Sequence, residues 1–171
     1  MLTIDIGRLE REGTLRVSAA VPPEDALWEG TDLTFAGPVE VDVVATVAGS
    51  GEYVVRGRIA GTLVQECRRC LDEVRTSVDD ELTLVFSPAD ELGSTEQDPE
   101  MRVLEPGADE IDLGEAIREE LVLDVDRYVV CDAACRGLCP ICGVNRNEEE
   151  CDCSFEEPDP RWDALRELKS D

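Results

Sequence analysis

Apolar and polar residues alternate through much of the N-terminal half of the chain. Val39, Val41 and Val43 in VEVDVVATVAG, and Leu82, Leu84 and Phe86 in ELTLVF, recur at a period of two, as a half-buried strand requires. LTIDI, TLRVSA, EYVVRGRIAGTLVQE and TSVDDELTLVF are equally rich in β-branched residues and are predicted as further strands. Gly49-Ser50-Gly51 separates two of these runs and reads as a hairpin turn. Gly57 and Gly61, inside the strand that follows, predict a bend or a bulge that would curve the sheet. PPEDALWEG reads as a short helical turn over one end of it. The expectation is an antiparallel sheet, curled or partly closed into a barrel.

The pattern changes after Phe86. SPADELGSTEQDPEMRVLEPGAD is acidic, carries proline and lacks apolar periodicity, so it reads as a mobile loop. IDLGEAIREELVLD then places Leu113, Ala116, Ile117 and Leu121 at helical spacing, with Asp112 and Glu115 positioned as a box-like cap. A last short helix is predicted from Asp159 as cap and Pro160 at the first helical position, with Trp162, Leu165 and Leu168 on one face. Three segments result: residues 1–87 as an antiparallel β domain, 88–110 as an acidic flexible loop, and 111–171 as a helix, a cysteine-rich segment and the terminal helix. The fold class is α+β, mainly β.

Eight cysteines, at 67, 70, 131, 135, 139, 142, 151 and 153, change the picture because there is no histidine among 171 residues. With no basic start followed by a long apolar run and no stretch of eighteen apolar residues, the expected setting is a soluble protein of a reducing cytoplasm. There, closely spaced thiols read as metal-binding or catalytic before they read as disulfides. Cys67-x2-Cys70 and Cys139-x2-Cys142 each allow a tight turn to aim two sulfurs at one ion, about 2.3 Å from each for zinc. Cys139, Cys142, Cys151 and Cys153 form a compact four-thiolate set that suits a structural zinc ion. Cys67, Cys70, Cys131 and Cys135 remain for a possible second site tying the β half to the C-terminal segment. A single site that draws on Cys67, Cys70 and two downstream cysteines is the alternative pairing. Thiol–disulfide chemistry, an iron–sulfur cluster and structural disulfides are the competing chemistries. A closed zinc site would contribute on the order of 10 kcal/mol to local folding, replacing a core that a short acidic segment cannot build.

Charge narrows the partners. Forty-one acids against sixteen bases give −25, and only one base, Lys169, is a lysine. Such a field repels naked nucleic acid and attracts basic protein, although a solubility-promoting or salt-adapted surface has the same composition. Arg56, Arg58, Arg68, Arg69 and Arg75 are the main candidates for a local basic patch. Without histidine the usual Ser–His and Cys–His pairs are impossible, and neither a GxxxxGK[ST] loop nor a GxGxxG turn is present. The expectation is a protein that is not an enzyme.

The motifs CRRCL, IDLGEAIREELVLD, CRGLCPICGVNRN, CDC and DPRWDALRELK, in this order over roughly residues 60–171, resemble the YceD family of large ribosomal RNA subunit accumulation proteins. The family's CxRC falls on Cys67, Arg69 and Cys70. Its GLCPxCG falls on Gly137, Leu138, Cys139, Pro140, Cys142 and Gly143, and its CxC on Cys151 and Cys153. The resemblance implies a non-catalytic ribosome biogenesis factor acting in synthesis, processing or stability of large-subunit (23S) ribosomal RNA. Joined to the charge, it implies a basic ribosomal or assembly-factor protein as partner, with direct binding to naked RNA disfavoured and no membrane involved. A thiol-active redox protein and a zinc-stabilised interaction module unrelated to ribosomes are the rival readings.

Overall fold

A computed structural model describes residues 2–49, 51–88 and 101–154. The chain enters as a short strand, β1 (Thr3–Asp5), and turns at once into a helix, α1 (Ile6–Glu12). Asp5 accepts the Arg8 amide at the start, and Gly13, at φ 75°, returns its N–H to the Leu9 carbonyl at the end. The sequence pattern did not reveal α1, which is held by burial of Ile6 and Leu9 beneath the sheet. β2 (Thr14–Val21) follows, then a 3-10 turn (Ala26–Trp28), as PPEDALWEG predicts. Trp28 is buried there against Phe35, with ring centroids 4.8 Å apart.

β3 (Val39–Val47), β4 (Tyr53–Glu66), β5 (Glu73–Pro88) and β6 (Met101–Leu104) complete a five-stranded sheet in the order β2-β3-β4-β5-β6. All pairings are antiparallel except β5–β6, which is parallel. β2 and β6 lie at opposite ends of that order, so the sheet curls without closing. Its sharpest approach is at Gly57, where a Cβ would collide with the Asp42 carbonyl oxygen and lie 2.5 Å from Val43 Cα. The β3–β4 register runs unbroken through this point, so the glycine makes a crease and not a bulge. β6 falls inside the stretch read as a loop, whose residues 89–100 lie outside the described residues. The predicted helix from Asp159 also lies outside them.

β7 (Glu110–Asp112) pairs with β1 and leads into α2 (Gly114–Asp124). Asp112 accepts only the Gly114 amide, and no side chain caps the helix at Leu113. The face read from the sequence is the buried one: Leu113, Ala116, Ile117 and Leu121 are all at or below 2% exposure. They join Val39, Val41, Val43, Val55, Ile59 and Leu84 in one core. No helix among the described residues is long and apolar enough to cross a membrane.

What positions the cysteines is a difference in strand length. β4 and β5 pair continuously from Tyr53↔Phe86 to Glu66↔Glu73, whereas β3 stops pairing at Ala60. The last rungs therefore leave the sheet as a two-stranded arm. Its open edge is covered by residues 34–36, through hydrogen bonds from the Ala36 amide to Thr62 and from the Val64 amide to Thr34. Cys67 to Asp72 form its tip.

Candidate metal centres

At the arm's tip the backbone folds into a knuckle. The Leu71 amide donates to the Cys67 carbonyl at 2.9 Å and the Cys67 amide to the Asp72 carbonyl at 2.8 Å. The second C-x2-C pair repeats this pattern: the Gly143 amide donates to the Cys139 carbonyl and the Cys139 amide to the Val144 carbonyl, both at 2.8 Å. In each knuckle the residue after the second cysteine takes the left-handed conformation, Gly143 at φ 77° and Leu71 at φ 64°. Leu71 is the only non-glycine residue with positive φ among the described residues. The amides of such a turn point toward the sulfurs and favour thiolate.

The eight sulfurs gather as two quartets: Cys67, Cys70, Cys131 and Cys135, and Cys139, Cys142, Cys151 and Cys153. Within each, all four sulfurs lie within 4.8 Å of one another. Cys67 Sγ is 3.9 Å from Cys135 Sγ, and Cys70 Sγ is 3.5 Å from Cys131 Sγ. A disulfide needs about 2.05 Å between sulfurs. Tetrahedral ligands each about 2.3 Å from a central ion lie about 3.8 Å apart, between the two distances found in the first quartet. Either quartet could hold a metal ion.

Their surroundings differ. In the first quartet Cys67, Cys70 and Cys135 are buried, and they pack with Val74 and Val130 in a small cluster separate from the main core. In the second, Cys139 is buried, Cys151 is half-buried, and Cys142 and Cys153 are exposed. The quartets are laced together by main chain: the Leu138 amide donates to the Arg69 carbonyl, the Arg68 amide to Val129, and the Arg69 guanidinium to the carbonyls of Ala133 and Cys135. Gly137, at φ 69°, is required here, because a Cβ would lie 2.8 Å from the Arg69 carbonyl oxygen.

Two asparagines finish the junction. The Asn145 amide group donates to the Asp72 carboxylate at 3.2 Å. The Asn147 side chain donates to Cys135 Sγ at 3.2 Å and accepts from the Arg136 amide at 2.7 Å. The Asn147–Cys135 bond is the largest influence holding the Cys135 thiol low. Burial pushes the Cys67 thiol up, but the amides of Cys131, Cys70 and Arg69 outweigh it and bring it down to about 6. The Cys139 thiol is lowered to about 6, chiefly by the amides of Cys142 and Ile141. Cys153, hydrogen-bonded to Cys142 and partly desolvated, is pushed up to about 12. In each quartet the surrounding amides thus favour the thiolate form of one cysteine, the form a divalent cation needs.

The structure brings Cys139, Cys142, Cys151 and Cys153 together and sets Cys67 and Cys70 beside Cys131 and Cys135, a grouping that residue spacing leaves open. Gly137 belongs to the GLCPxCG motif, whereas residue spacing marks neither Leu71 nor the asparagines of GVNRN, Asn145 and Asn147, as working parts. The arginines do not form one patch: Arg58 is ion-paired with Asp79 and Arg75 with Glu73, while Arg68 stacks over Tyr128 at 4.4 Å.

Residues 55–169 match the family described as Large ribosomal RNA subunit accumulation protein YceD. An uncharacterized protein of Mycobacterium tuberculosis is 38% identical over 117 residues, covering 67% of this chain and 55% of its own length. An uncharacterized Mycobacterium bovis protein gives the same figures. The Arabidopsis thaliana protein named Large ribosomal RNA subunit accumulation protein YCED homolog 1, chloroplastic, is 39% identical over 64 residues, covering 37% of this chain and 20% of that one. The chain thus spans about half the length of the mycobacterial relatives it matches, and no solved structure matches it significantly. With more than half its residues inside the matched region, including all eight cysteines, the chain belongs to the YceD family.

Proposed function

We propose that the chain is a non-catalytic factor in the accumulation of large-subunit (23S) ribosomal RNA, acting in the cytoplasm through a basic protein partner and clasped by two zinc ions. The observation that carries this reading is the gathering of eight thiols into two all-sulfur quartets within a YceD chain. Soft thiolate ligands, four per site with no nitrogen or oxygen donor among them, select zinc over the harder divalent ions. Four sulfurs saturate a tetrahedral ion, so the ion supplies cross-linking and charge, with no open position for substrate. Cys67, Cys70, Cys131 and Cys135 would fasten the arm to the C-terminal segment. Cys139, Cys142, Cys151 and Cys153 would close the segment on itself.

The net charge of −25 supports docking to a cationic protein over contact with phosphates. The test has two arms. Elemental analysis of protein purified under reducing conditions should find zinc at two ions per chain, and co-purification should recover a basic large-subunit protein in a salt-sensitive manner. Recovery of naked rRNA as tightly without any protein partner would overturn the partner assignment.

The rival reading, a thiol-active protein, draws support from the lowered Cys67 and Cys139 thiols. Both are nearly closed to solvent, at 0% and 5% exposure. Fast alkylation of either in the folded, never-chelated protein would favour the redox reading; slow labelling that accelerates with chelator favours zinc.

A further inference from the structure

We infer that the groove beside the arm's knuckle is the docking site for a cationic amphipathic segment of a basic protein. This rests on the proposed basic partner and assigns the surface that receives it. A cleft of about 600 Å³ lies between the arm, residues 32–34 and the chain leaving α2. Leu33, Val64, Val122 and Val125 give it apolar walls, while Asp32, Glu66 and Glu73, the last paired with Arg75, line it with carboxylate against Arg127. Aliphatic side chains suit those walls, and Lys or Arg side chains suit the acids. A cleft of this size holds a few side chains of a peptide.

Leu71 is the second strand of the argument. It lines the same groove, is 56% exposed, and sits at φ 64° where the sister knuckle has glycine. A leucine in that region is strained, and its side chain contributes little to the core. Strain of this kind persists where the side chain has work elsewhere. Here it extends the apolar wall outward to the solvent.

Charge decides among occupants. RNA phosphates would meet the carboxylates of Asp32 and Glu66 and the Arg75-paired Glu73, with Arg127 the one lining cation. A second copy of the chain would bring another −25. The chain's own residues 155–171 carry six acids against three bases and are matched poorly to an acidic rim. A cationic amphipathic segment satisfies both walls and rim.

The probe is a fluorescein-labelled peptide with leucine at helical spacing and lysine elsewhere, titrated into the full metal-loaded chain by anisotropy, with an oligolysine of equal charge as control. The leucine–lysine peptide should bind more tightly than oligolysine. Leu71→Gly should weaken it about tenfold while the melting temperature holds or rises. Asp32→Lys combined with Glu66→Lys should weaken it about tenfold and flatten its salt dependence. Equal affinity of wild type and variants, or of the two peptides, overturns the inference. Binding that appears only after Trp162, Leu165 and Leu168 are changed to serine overturns it in favour of the chain's own tail. Co-purification separates the two levels of claim. If a basic protein is still recovered with Leu71→Gly and the peptide ignores the substitution, the groove fails and the functional reading stands. If the groove binds peptide as expected and no basic protein co-purifies, the functional reading fails and the groove remains.

Discussion

Leu71 and Gly143 close equivalent knuckles at φ 64° and 77°, so they isolate what a side chain costs in one backbone setting. For an L residue that region is unfavourable by roughly 1–2 kcal/mol, part of which glycine returns as lost chain entropy. Leu71→Gly should therefore leave stability unchanged or raise it by up to about 1 kcal/mol, read as a melting temperature held or increased by a few degrees. Gly143→Ala meets nothing within 4 Å and should cost only the strain, about 1 kcal/mol. Gly137→Ala adds a clash with the Arg69 backbone to similar strain and should cost about 2–4 kcal/mol, undocking the segment from the arm. Equal losses for the two glycines would contradict the close approach at Gly137. Asp80 makes a separate case. Burial first, and the neighbouring Asp124 carboxylate second, raise its carboxyl above the ordinary 3.8. An acid whose folded pKa is raised binds more proton folded than unfolded, so it takes stability away as pH climbs from 3.8 through the raised value. Asp80→Asn should therefore be more stable than wild type at neutral pH, with the gain vanishing below pH 3.8, as paired melting curves across pH would show.

At the level of elements, the arm and the two knuckles depend on different forces. The sheet and α2 share a continuous apolar core, whereas the first quartet sits in a cluster of three cysteines with Val74 and Val130. So few side chains cannot order a segment alone, and an ion bound there would supply most of that free energy. Cys67→Ser should reduce bound zinc by one ion per chain and expose residues 129–147 to hydrogen exchange, while the amides of β3 and β4 keep their protection. Cys153→Ser should also lose one ion, yet leave the Arg68 amide, bonded to the Val129 carbonyl, protected. Loss of sheet protection on chelation would show that the quartets support the core as well. How far these elements were legible follows from their length and from how local their contacts are. The period of two in β3 and β5 and the stripe of α2 are written within single segments, and they match the burial found. α1 is seven residues long and gains its stability from docking Leu9, which no local pattern records. β1 lies within LTIDI, a run that reads as a strand, but its pairing with the equally short β7 across most of the chain has no local record. The two C-x2-C spacings marked the knuckles. The meeting of Cys67 and Cys70 with Cys131 and Cys135 depends on β4 and β5 outrunning β3, a fact of register that spacing does not carry. Leu71 stayed hidden because its role depends on a backbone angle.

Over the whole molecule the charge is spread unevenly. Residues 1–87 carry sixteen acids and eight bases, and residues 88–171 carry twenty-five acids and eight bases. The ion pairs that Arg8, Arg16, Arg58 and Arg75 form with their carboxylates are largely exposed, with side chains 47–67% accessible, and pairs of that kind contribute little. The excess acids therefore repel one another with little local compensation, more so toward the cysteine-rich end. Self-repulsion destabilises a compact state, and it is long-ranged enough for salt to screen, since the Debye length falls from about 30 Å at 0.01 M to about 10 Å at 0.1 M. Short ion pairs are screened too, but they have less to lose. The net expectation is a melting temperature that rises steadily as sodium chloride increases from about 0.01 M to about 0.5 M, with zinc content unchanged. The same screening should weaken association with a cationic peptide, so stability and binding move in opposite directions with salt. Differential scanning fluorimetry and anisotropy on one preparation test both. If binding strengthened along with stability, the acidic surface would be an adaptation to salt in its own right, and the attraction of a basic partner would have to be argued from something other than charge.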